Sequence, residues 1–400
     1  MNIFKKIYCR TYQFIFKVAL PFLPYREPLI LENNNEVLNV LKNKKTKKVF
    51  FVTDKVIWGL GLTKALEDTL TNGGVEVCVF NEVLPNPTIS LVETGLKRYL
   101  SENCDAIIAL GGGSVIDCAK VVGARVVKPK QSVQKMKGLL KIGKKLPTLI
   151  AIPTTAGTGS ETTLAAVITD DKTHHKYPIN DFSLIPHYAL LDYHLTLGLN
   201  KKITSTTGMD ALTHAVEAFI GGSTTKQTRT AAKEAVKLIY ENLVTVYNDG
   251  SNAQARQNML KASYLAGVAF TKSYVGYSHA IAHSLGGKYG VAHGLANAII
   301  LPVILKEYGK TVYKKLSKLA IYARIGDKNN TDEQNAKMFI EWIENLNMQF
   351  EIPQTVKELR NEDIKELSKT ADKEANPLYP VPKLMNAKEL AKVYEKLLEN

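Results

Sequence analysis

Hydrophobic and polar positions follow two different patterns along the chain, and the change comes near residue 203. Before that point, short apolar runs alternate with stretches in which apolar residues recur every three to four positions. The runs predict buried strands at 49–54, 75–80, 106–113 and 148–155, and the stretches predict helices at 56–72, 88–102 and 114–125. Strands and helices that alternate in this way indicate a parallel sheet with both faces covered.

After residue 203 only the helical period continues. It predicts helices at 208–221, 227–247, 252–270, 294–307, 310–325, 331–347 and 387–398. The predicted fold class is therefore α/β plus all-α, with a parallel-sheet domain followed by a helical domain. We expect three parts, namely a basic amphipathic segment at 1–30, the α/β domain at 31–200 and the helical domain at 201–400.

The first of these parts is both basic and apolar. Arg10 and Lys17 interrupt its apolar run and no small-residue cleavage site follows, so it is neither a signal peptide nor a spanning helix. One helical face collects apolar residues, which predicts an amphipathic helix; they are Ile3, Ile7, Phe14 and Val18. We expect it to dock on the protein's own body or on a neighbouring subunit. The alternative is an interfacial membrane anchor.

Composition and charge narrow the function classes. The chain has 400 residues, of which 45% are hydrophobic and 22% charged, and this excludes a disordered protein. Its net charge of +14 divides into +7 in residues 1–50 and +8 in residues 125–145, which leaves the rest at −1. Two local patches without a recognised motif argue against nucleic-acid binding. Four scattered cysteines without a CxxC pair suit a reducing cytoplasm.

Glycine-rich loops follow two of the predicted strands. The first loop contains Gly111, Gly112, Gly113 and Ser114, and Ser114 opens a helix whose free N–H groups favour an anion such as a diphosphate. Its spacing is not G-x-G-x-x-G, so the usual dinucleotide fingerprint is absent. The second loop reads PTTAGTGSETT at 153–163. Loops at the carboxyl ends of parallel strands are where an open α/β sheet binds its ligand.

Asp54 ends the first predicted strand. A carboxylate there can accept hydrogen bonds from ribose hydroxyls and would repel a 2′-phosphate. The alternative reading is an ordinary N-cap of the following helix.

Histidines and one aspartate are grouped in two apolar helical segments. Asp210 and His214 stand at i, i+4, as do His279 and His283, and His293 follows fourteen residues after His279. One carboxylate and three imidazoles suit a divalent transition metal such as Fe²⁺ or Zn²⁺. The alternative is a set of buried, hydrogen-bonded histidines.

Four ordered motifs together resemble the iron-dependent (group III) alcohol dehydrogenase family of the dehydroquinate synthase-like superfamily. They read GGGSVIDCAK, PTTAGTGSETT, GMDALTHAVEA and HAIAHSLGGKYGVAHG, and the likeness extends from Val49 to 374–382. The resemblance implies a Rossmann-like N-terminal domain, a helical C-terminal domain and an active site in the cleft between them. It also implies hydride transfer between NAD(P) and a small alcohol or aldehyde.

The resemblance also implies roles for individual residues. The metal ligands would be Asp210, His214, His279 and His293. His283 would lie beside cofactor and substrate as the catalytic residue, and Phe270 would form a wall of the substrate pocket. The residues implied on the cofactor side are Asp54, Asn86, Gly112, Gly113, Ser114, Asp117, Thr154, Thr155, Thr158 and Lys176.

Two positions depart from the family pattern, since the family has proline where this chain has Tyr193 and Asn200. We expect NAD rather than NADP, and Fe²⁺ with Zn²⁺ as the alternative. A cytoplasmic homodimer is the expected form. The alternative functions are a dehydroquinate synthase-like or glycerol dehydrogenase-like enzyme of the same superfamily, and, from a different class, a membrane- or nucleic-acid-binding protein.

Overall fold

The computed structural model describes residues 1–173 and 176–399, which form two compact units. One unit is Pro24–Gly198 and the other combines Met1–Leu23 with Leu199–Asn400. We call them the sheet unit and the helical unit.

The sheet unit contains all the described strands. They are β1 (Leu29–Leu31), β2 (Lys48–Val52), β3 (Glu76–Phe80), β4 (Ala106–Gly111), β5 (Gly138–Leu139), β6 (Thr148–Pro153), β7 (Ala165–Thr169), β8 (Lys176–Asn180) and β9 (Tyr188–Leu190). Six of them form a parallel sheet in the order β1-β9-β6-β4-β2-β3, and β5-β8-β7 form a small mixed sheet. The predicted parallel sheet is thus confirmed.

Helices cover both faces of the six-stranded sheet. The helices before residue 199 are α1 (Ile3–Ala19), α2 (Asn34–Asn43), α3 (Lys55–Gly59), α4 (Lys64–Asn72), α5 (Ile89–Ser101), α6 (Gly113–Val127) and α7 (Val133–Met136), of which α1 belongs to the helical unit. The single helix predicted at 56–72 is two helices, because Gly61 adopts a φ of +71° between them. That backbone conformation is open to glycine and ends the first helix.

The central strands are apolar on both sides, which explains their unbroken apolar runs. Val49 and Phe51 of β2 pack into the core on one face of the sheet, whereas Phe50 and Val52 pack into the core on the other. Because β6, β4, β2 and β3 are neighbours and parallel, their carboxyl ends lie side by side at one edge. Both glycine loops and Asp54 follow strands at this edge.

The helical unit has no described strand. Its helices after residue 199 are α8 (Lys201–Ile220), α9 (Lys226–Asn248), α10 (Ala253–Ser273), α11 (Tyr277–Tyr289), α12 (His293–Tyr308), α13 (Tyr313–Tyr322), α14 (Asp332–Gln349), α15 (Ile364–Ala375) and α16 (Ala387–Glu395). The all-helical character predicted for this half is confirmed. Helix α15 was not among the predicted helices.

Helix α1 packs against the helical unit through one narrow face. Cys9 and Gln13 are buried there, and the Gln13 amide donates to the carbonyl oxygen of Tyr379 at 2.7 Å. Arg10 donates to the carbonyl oxygens of Val381 and Pro382 at 2.7 and 2.9 Å. Within the described residues, no helix is both long enough and apolar enough to cross a bilayer.

A buried arginine joins the first turns of α8 and α10. Arg256 is 3% exposed and donates to Thr204 Oγ1 at 2.9 Å, to the Gly250 carbonyl at 2.9 Å and to the Leu199 carbonyl at 3.3 Å. Burial lowers the pKa of the guanidinium, but each of its three nitrogens has an acceptor. Arg256 therefore fixes where α8, the helix that carries Asp210 and His214, begins.

We predict that Arg256→Met lowers the free energy of unfolding of the helical unit by about 2–3 kcal/mol, because three buried acceptors lose their donor. Urea unfolding followed by Trp342 fluorescence in a Trp58→Phe background measures it. The exposed Arg229 on α9 provides the control, and Arg229→Met should change stability by less than about 0.5 kcal/mol. Equal losses in the two variants would contradict the role given to Arg256.

Candidate active site

Four side chains with metal-ligand chemistry come together in the helical unit. Asp210 and His214 project from the same face of α8, His279 from the first turn of α11 and His293 from the first residue of α12. One ligand atom from each lies within 4.8 Å of the others. These are the four residues in which the sequence analysis predicted a ligand set. Asp210, His214 and His279 are buried, whereas His293 is partly exposed.

A buried carboxylate holds His279 in place. Glu217 is 3% exposed and accepts a hydrogen bond from His279 Nδ1 at 2.6 Å. The same carboxylate accepts from the backbone N–H groups of Gly276 at 2.7 Å and Ser278 at 2.8 Å. Because a carboxylate only accepts, the proton of a neutral His279 lies on Nδ1 and its Nε2 carries the lone pair. A Cβ on Gly276 would lie 2.6 Å from Glu217 Oε1, so the loop can approach the carboxylate only with glycine there.

The environment of His279 Nε2 shows whether these residues could bind a metal ion. Nε2 is buried and has no hydrogen-bond partner among the described residues. A buried polar atom without a partner is costly, and a metal ion would satisfy it. A ligating histidine that donates its other N–H to a carboxylate is the usual arrangement around protein-bound metals. The donor set of one carboxylate and three imidazoles therefore fits a divalent transition metal.

Asp210 has a second polar contact on α12. The amide of Asn297 donates to Asp210 Oδ1 at 2.8 Å and lies 3.1 Å from His293 Nε2. Burial raises the pKa of the Asp210 carboxyl to about 6, although His279 and Asn297 act in the opposite direction. A Cβ on Gly294 would lie 2.4 Å from the carbonyl oxygen of Thr206, so glycine lets α12 come close to α8.

His283 and Phe270 lie at the border of this cluster. The His283 ring stacks on the ring of His293 with centroids 5.1 Å apart, and its Nδ1 lies 2.7 Å from Glu374 Oε1. The side chain of His283 is 39% exposed. Phe270 of α10 stacks on His214 at 4.1 Å and so covers one face of that imidazole.

Glu374 is in turn bonded by the hydroxyl of Tyr379 at 2.8 Å. Burial acts to raise the pKa of Glu374, but the neighbouring His283 and the hydroxyl outweigh it and the pKa is lowered. The Glu374 carboxylate therefore orients the His283 ring by accepting a hydrogen bond from its Nδ1.

Sequence reasoning missed Glu217, Asn297 and Glu374. Glu217 is seven residues after Asp210 and Asn297 is four after His293, so helical spacing could have placed both near the cluster. Glu374 has no such signal, because it reaches His283 from a distant part of the chain.

Cofactor-side candidates gather at the carboxyl edge of the parallel sheet. Gly112 is the N-cap residue of α6, directly after β4, and Ser114 lies in its first turn. The second glycine loop follows β6 and packs against the first, since a Cβ on Gly113 would lie 3.2 Å from Thr158 Cγ2. Thr154 donates its backbone N–H to the carbonyl of Gly111 at 3.2 Å, while a Cβ on Gly112 would lie 4.0 Å from the hydroxyl of Thr155.

Asn86 connects two more of the candidates. Its backbone N–H donates to Ser114 Oγ at 3.3 Å and its side-chain oxygen accepts from Lys176 Nζ at 2.7 Å. Asn86 has a φ of +58°, a conformation that asparagine tolerates better than most residues. The structure therefore brings Asn86, Ser114 and Lys176 together beside the first turn of α6.

Asp54 and Asp117 have partners within the chain. Asp54 is the N-cap of α3 and accepts from the backbone N–H of Ile57 at 2.8 Å. The capping role that the sequence left as an alternative is thus present. Asp117 is half-buried and accepts from Ser160 Oγ at 2.7 Å and from the Val167 N–H at 2.9 Å. Its position supports the second glycine loop.

Lys120 is a further support for that loop and was not predicted. It is completely buried, and its ammonium lies within 2.8–3.3 Å of Ser160 Oγ, of Thr163 O and Oγ1 and of the carbonyl of Ala165. Burial lowers the pKa of Lys120 to about 8, against the opposing charges of Asp117 and Glu161.

Glu161 in the same loop is 1% exposed, and neither carboxyl oxygen has a hydrogen-bond partner among the described residues. Burial raises its pKa to about 7.

Both units of the chain match known protein families. A family model described as iron-containing alcohol dehydrogenase matches residues 31–193, and one for the C-terminal part of the Fe-containing alcohol dehydrogenase family matches residues 204–398. The 1,3-propanediol dehydrogenase of Citrobacter freundii is 37% identical over 355 residues, which cover 87% of this chain and 90% of that protein.

Two further proteins are similar over most of their length. The NAD-dependent methanol dehydrogenase of Bacillus methanolicus is 35% identical over 341 residues, 84% of this chain and 88% of that protein. A crystal structure of 1,3-propanediol oxidoreductase superposes with a TM-score of 0.89 at 34% identity, and covers 94% of this chain and 99% of that one.

Glu161 makes stability depend on pH. Its folded-state pKa of about 7 lies above the ordinary value of 4.5, so between these values the folded state binds more protons than the unfolded state. The free energy of unfolding therefore falls as the pH rises through this window. We predict that Glu161→Gln reduces the slope and, at about pH 8, stabilises the sheet unit by about 2–3 kcal/mol.

Urea unfolding at a series of pH values, followed by Trp58 fluorescence in a Trp342→Phe background, measures the effect. The exposed Glu341 provides the control, because Glu341→Gln should leave the slope unchanged. A Glu161→Gln variant that keeps the wild-type slope would show that this carboxyl is not its source.

Proposed function

The chain belongs to the iron-containing alcohol dehydrogenase family, and we propose that it transfers a hydride between NAD(H) and a small primary or secondary alcohol. The corresponding aldehyde or ketone is the other substrate of this reversible reaction. The observation that carries the proposal is the cluster of Asp210, His214, His279 and His293, whose ligand atoms lie within 4.8 Å of one another in a chain of this family.

These four residues would hold the metal. Fe²⁺ is proposed from the family, with Zn²⁺ as the alternative, and both accept a mixed nitrogen and oxygen donor set. When bound, such an ion supplies a Lewis acid that polarises the oxygen of the alcohol or carbonyl substrate. Glu217 keeps the Nε2 lone pair of His279 directed into the cluster, and Asn297 orients the carboxylate of Asp210.

His283 is proposed as the residue that holds or passes the proton of the alcohol. Its ring lies against His293 and is partly exposed, so it is next to the cluster without being part of the ligand set. Glu374 fixes the ring at Nδ1, and Tyr379 fixes Glu374. An oriented imidazole of this kind is suited to proton transfer near neutral pH. Phe270, stacked on His214, is proposed as a wall of the substrate pocket.

The cofactor would bind at the carboxyl edge of the parallel sheet. The first turn of α6, with Gly112, Gly113 and Ser114, offers N–H groups to the diphosphate. The neighbouring Thr154, Thr155 and Thr158 of the second loop, together with Asn86 and Lys176, supply further polar groups.

Asp117 would act indirectly, by accepting a hydrogen bond from Ser160 and so holding the second glycine loop. Asp54, at the end of β2, is proposed to favour NAD, in line with the relative whose name specifies NAD dependence.

The relatives named above are alcohol and diol dehydrogenases. They favour this reaction over the dehydroquinate synthase-like and glycerol dehydrogenase-like alternatives. We propose a cytoplasmic location, because all four cysteines are free and buried, as in proteins of reducing compartments. The homodimer implied by the family resemblance stays a prediction, which sedimentation velocity can test.

We predict that His279→Ala abolishes both metal retention and alcohol turnover. Glu217→Gln should lower metal affinity by about 10–100-fold, because the amide cannot accept all three N–H bonds. Elemental analysis after anaerobic loading with Fe²⁺, together with assays of alcohols from methanol to 1,3-propanediol with NAD, measures both.

The control for these variants is His194→Ala in the sheet unit, where His194 is 65% exposed and pairs with Asp192. It should retain about one metal ion per chain and full activity. Full metal retention by His279→Ala would overturn the ligand assignment.

We also predict that Asp54→Asn lowers the preference for NAD over NADP by about tenfold or more, because the charge that repels a 2′-phosphate is removed. Asparagine keeps the N-cap, so α3 should stay intact. The ratio of kcat/KM for the two cofactors measures the effect.

Asp192→Asn is the matched control, since Asp192 is also a capping aspartate of the sheet unit. If the ratio does not change in Asp54→Asn, Asp54 has no part in cofactor choice.

A further inference from the structure

Helix α1 has a second apolar face, which no other described part of the chain covers. Eight large apolar side chains of α1 and the turn that follows it are exposed: Ile3, Phe4, Ile7, Tyr8, Phe14, Ile15, Val18 and Phe22. The most exposed of them are Phe4 at 79% and Phe22 at 85%. Single exposed apolar residues are ordinary, but a contiguous set of this size marks an interaction surface.

The spacing places this set on one side of the helix. Positions 4, 7, 8, 14, 15, 18 and 22 recur at three- and four-residue intervals and form one stripe, which we call the outer stripe. The docked face, with Cys9, Gln13 and Leu20 buried, lies on the opposite side of the helix. The packing of α1 on its own unit therefore accounts for the docked face and leaves the outer stripe unexplained.

The charged side chains of α1 itself are all basic. The first 26 residues contain five basic side chains and no acidic one. Lys5 pairs with Asp372 at 3.0 Å and Arg10 is bonded to backbone carbonyls, so these two are used in docking. Lys6 and Lys17 are exposed on the flank between the docked face and the outer stripe. An anionic surface complements this arrangement.

We propose that α1 is an interfacial anchor that lies in the plane of an anionic phospholipid bilayer. The outer stripe enters the boundary between headgroups and acyl chains, while Lys6 and Lys17 contact the headgroups. Aromatic and aliphatic side chains opposite a polar, lysine-bearing side are characteristic of such helices, and clustered basic residues are attracted to anionic lipid. Docking and lipid contact, which the sequence offered as alternatives, can then occur together, because each uses a different face of α1.

A second copy of the chain fits the outer stripe less well. If two copies paired through the same face, as in a two-fold dimer, each α1 helix would lie against another with four basic and no acidic residues. Like charges brought together in this way oppose association. An anionic bilayer instead gains from every basic residue near its surface.

The full chain is tested by co-sedimentation with vesicles of phosphatidylcholine alone and with about 30% phosphatidylserine. The wild type should bind the phosphatidylserine vesicles, and added salt should weaken the binding. Phe14→Glu combined with Ile15→Glu should reduce binding about tenfold or more, because it puts charge into the outer stripe but keeps good helix formers.

Two other double variants separate the contributions. Lys6→Glu with Lys17→Glu should weaken binding at low salt and leave the outer stripe intact. The matched control is Met338→Glu with Met348→Glu on α14, which replaces exposed apolar residues elsewhere in the helical unit and should bind like the wild type. Alcohol turnover and circular dichroism of each variant should equal those of the wild type, which shows that the fold is intact.

The proposal is overturned if the wild type does not bind phosphatidylserine vesicles, or if either α1 variant binds as well as the wild type. Sedimentation velocity distinguishes the remaining occupant. If Phe14→Glu with Ile15→Glu reduces the size of an oligomer and lipid binding is absent, the outer stripe is covered by a second copy of this chain.

Discussion

The hydrogen bond between the Glu217 carboxylate and His279 is the contact on which the geometry of the candidate metal cluster depends. A buried carboxylate is costly unless its oxygens are satisfied, and Glu217 is satisfied by one imidazole and two backbone N–H groups. Those N–H groups belong to the residues that start α11, so the same contact sets both the position of the helix and the ring that it carries. Gly276 is required because no other residue lets the loop come this close. Of the four residues of the cluster, His293 is the one that is partly exposed to solvent.

Much of this architecture could be predicted, for identifiable physical reasons. The strands β2, β3, β4 and β6 were predicted because they form apolar runs in the middle of a sheet that is covered on both faces. Strands β1 and β9 have three residues each, too few for a pattern to show. The grouping of Asp210 with His214 follows from helical spacing alone. The arrival of His293 beside them depends on a close approach at Gly294, which is a tertiary contact.

Polar residues were harder to interpret than apolar ones. A glutamate in a helix is normally solvated, so the spacing from Asp210 could place Glu217 near the cluster but could not show that its carboxylate is a buried acceptor. Lys120 was missed for the same reason, although it is completely buried. Its bonds to Ser160, Thr163 and Ala165 hold the second glycine loop in its shape. A loop ordered in advance loses less conformational entropy when it binds a ligand.

Asp54 shows how a structural duty can restrict evolutionary change. Its carboxylate caps α3, and replacing such a cap with alanine typically costs about 1 kcal/mol. A lineage that acquired a new cofactor preference at this position would have to preserve the cap at the same time. The substitutions that would preserve the cap are serine, threonine, asparagine and glycine, because these residues are also favoured at the N-cap of a helix. With the cofactor role proposed for Asp54, the identity of this one residue in relatives would reflect both cofactor choice and helix stability, and neither could be inferred from it alone.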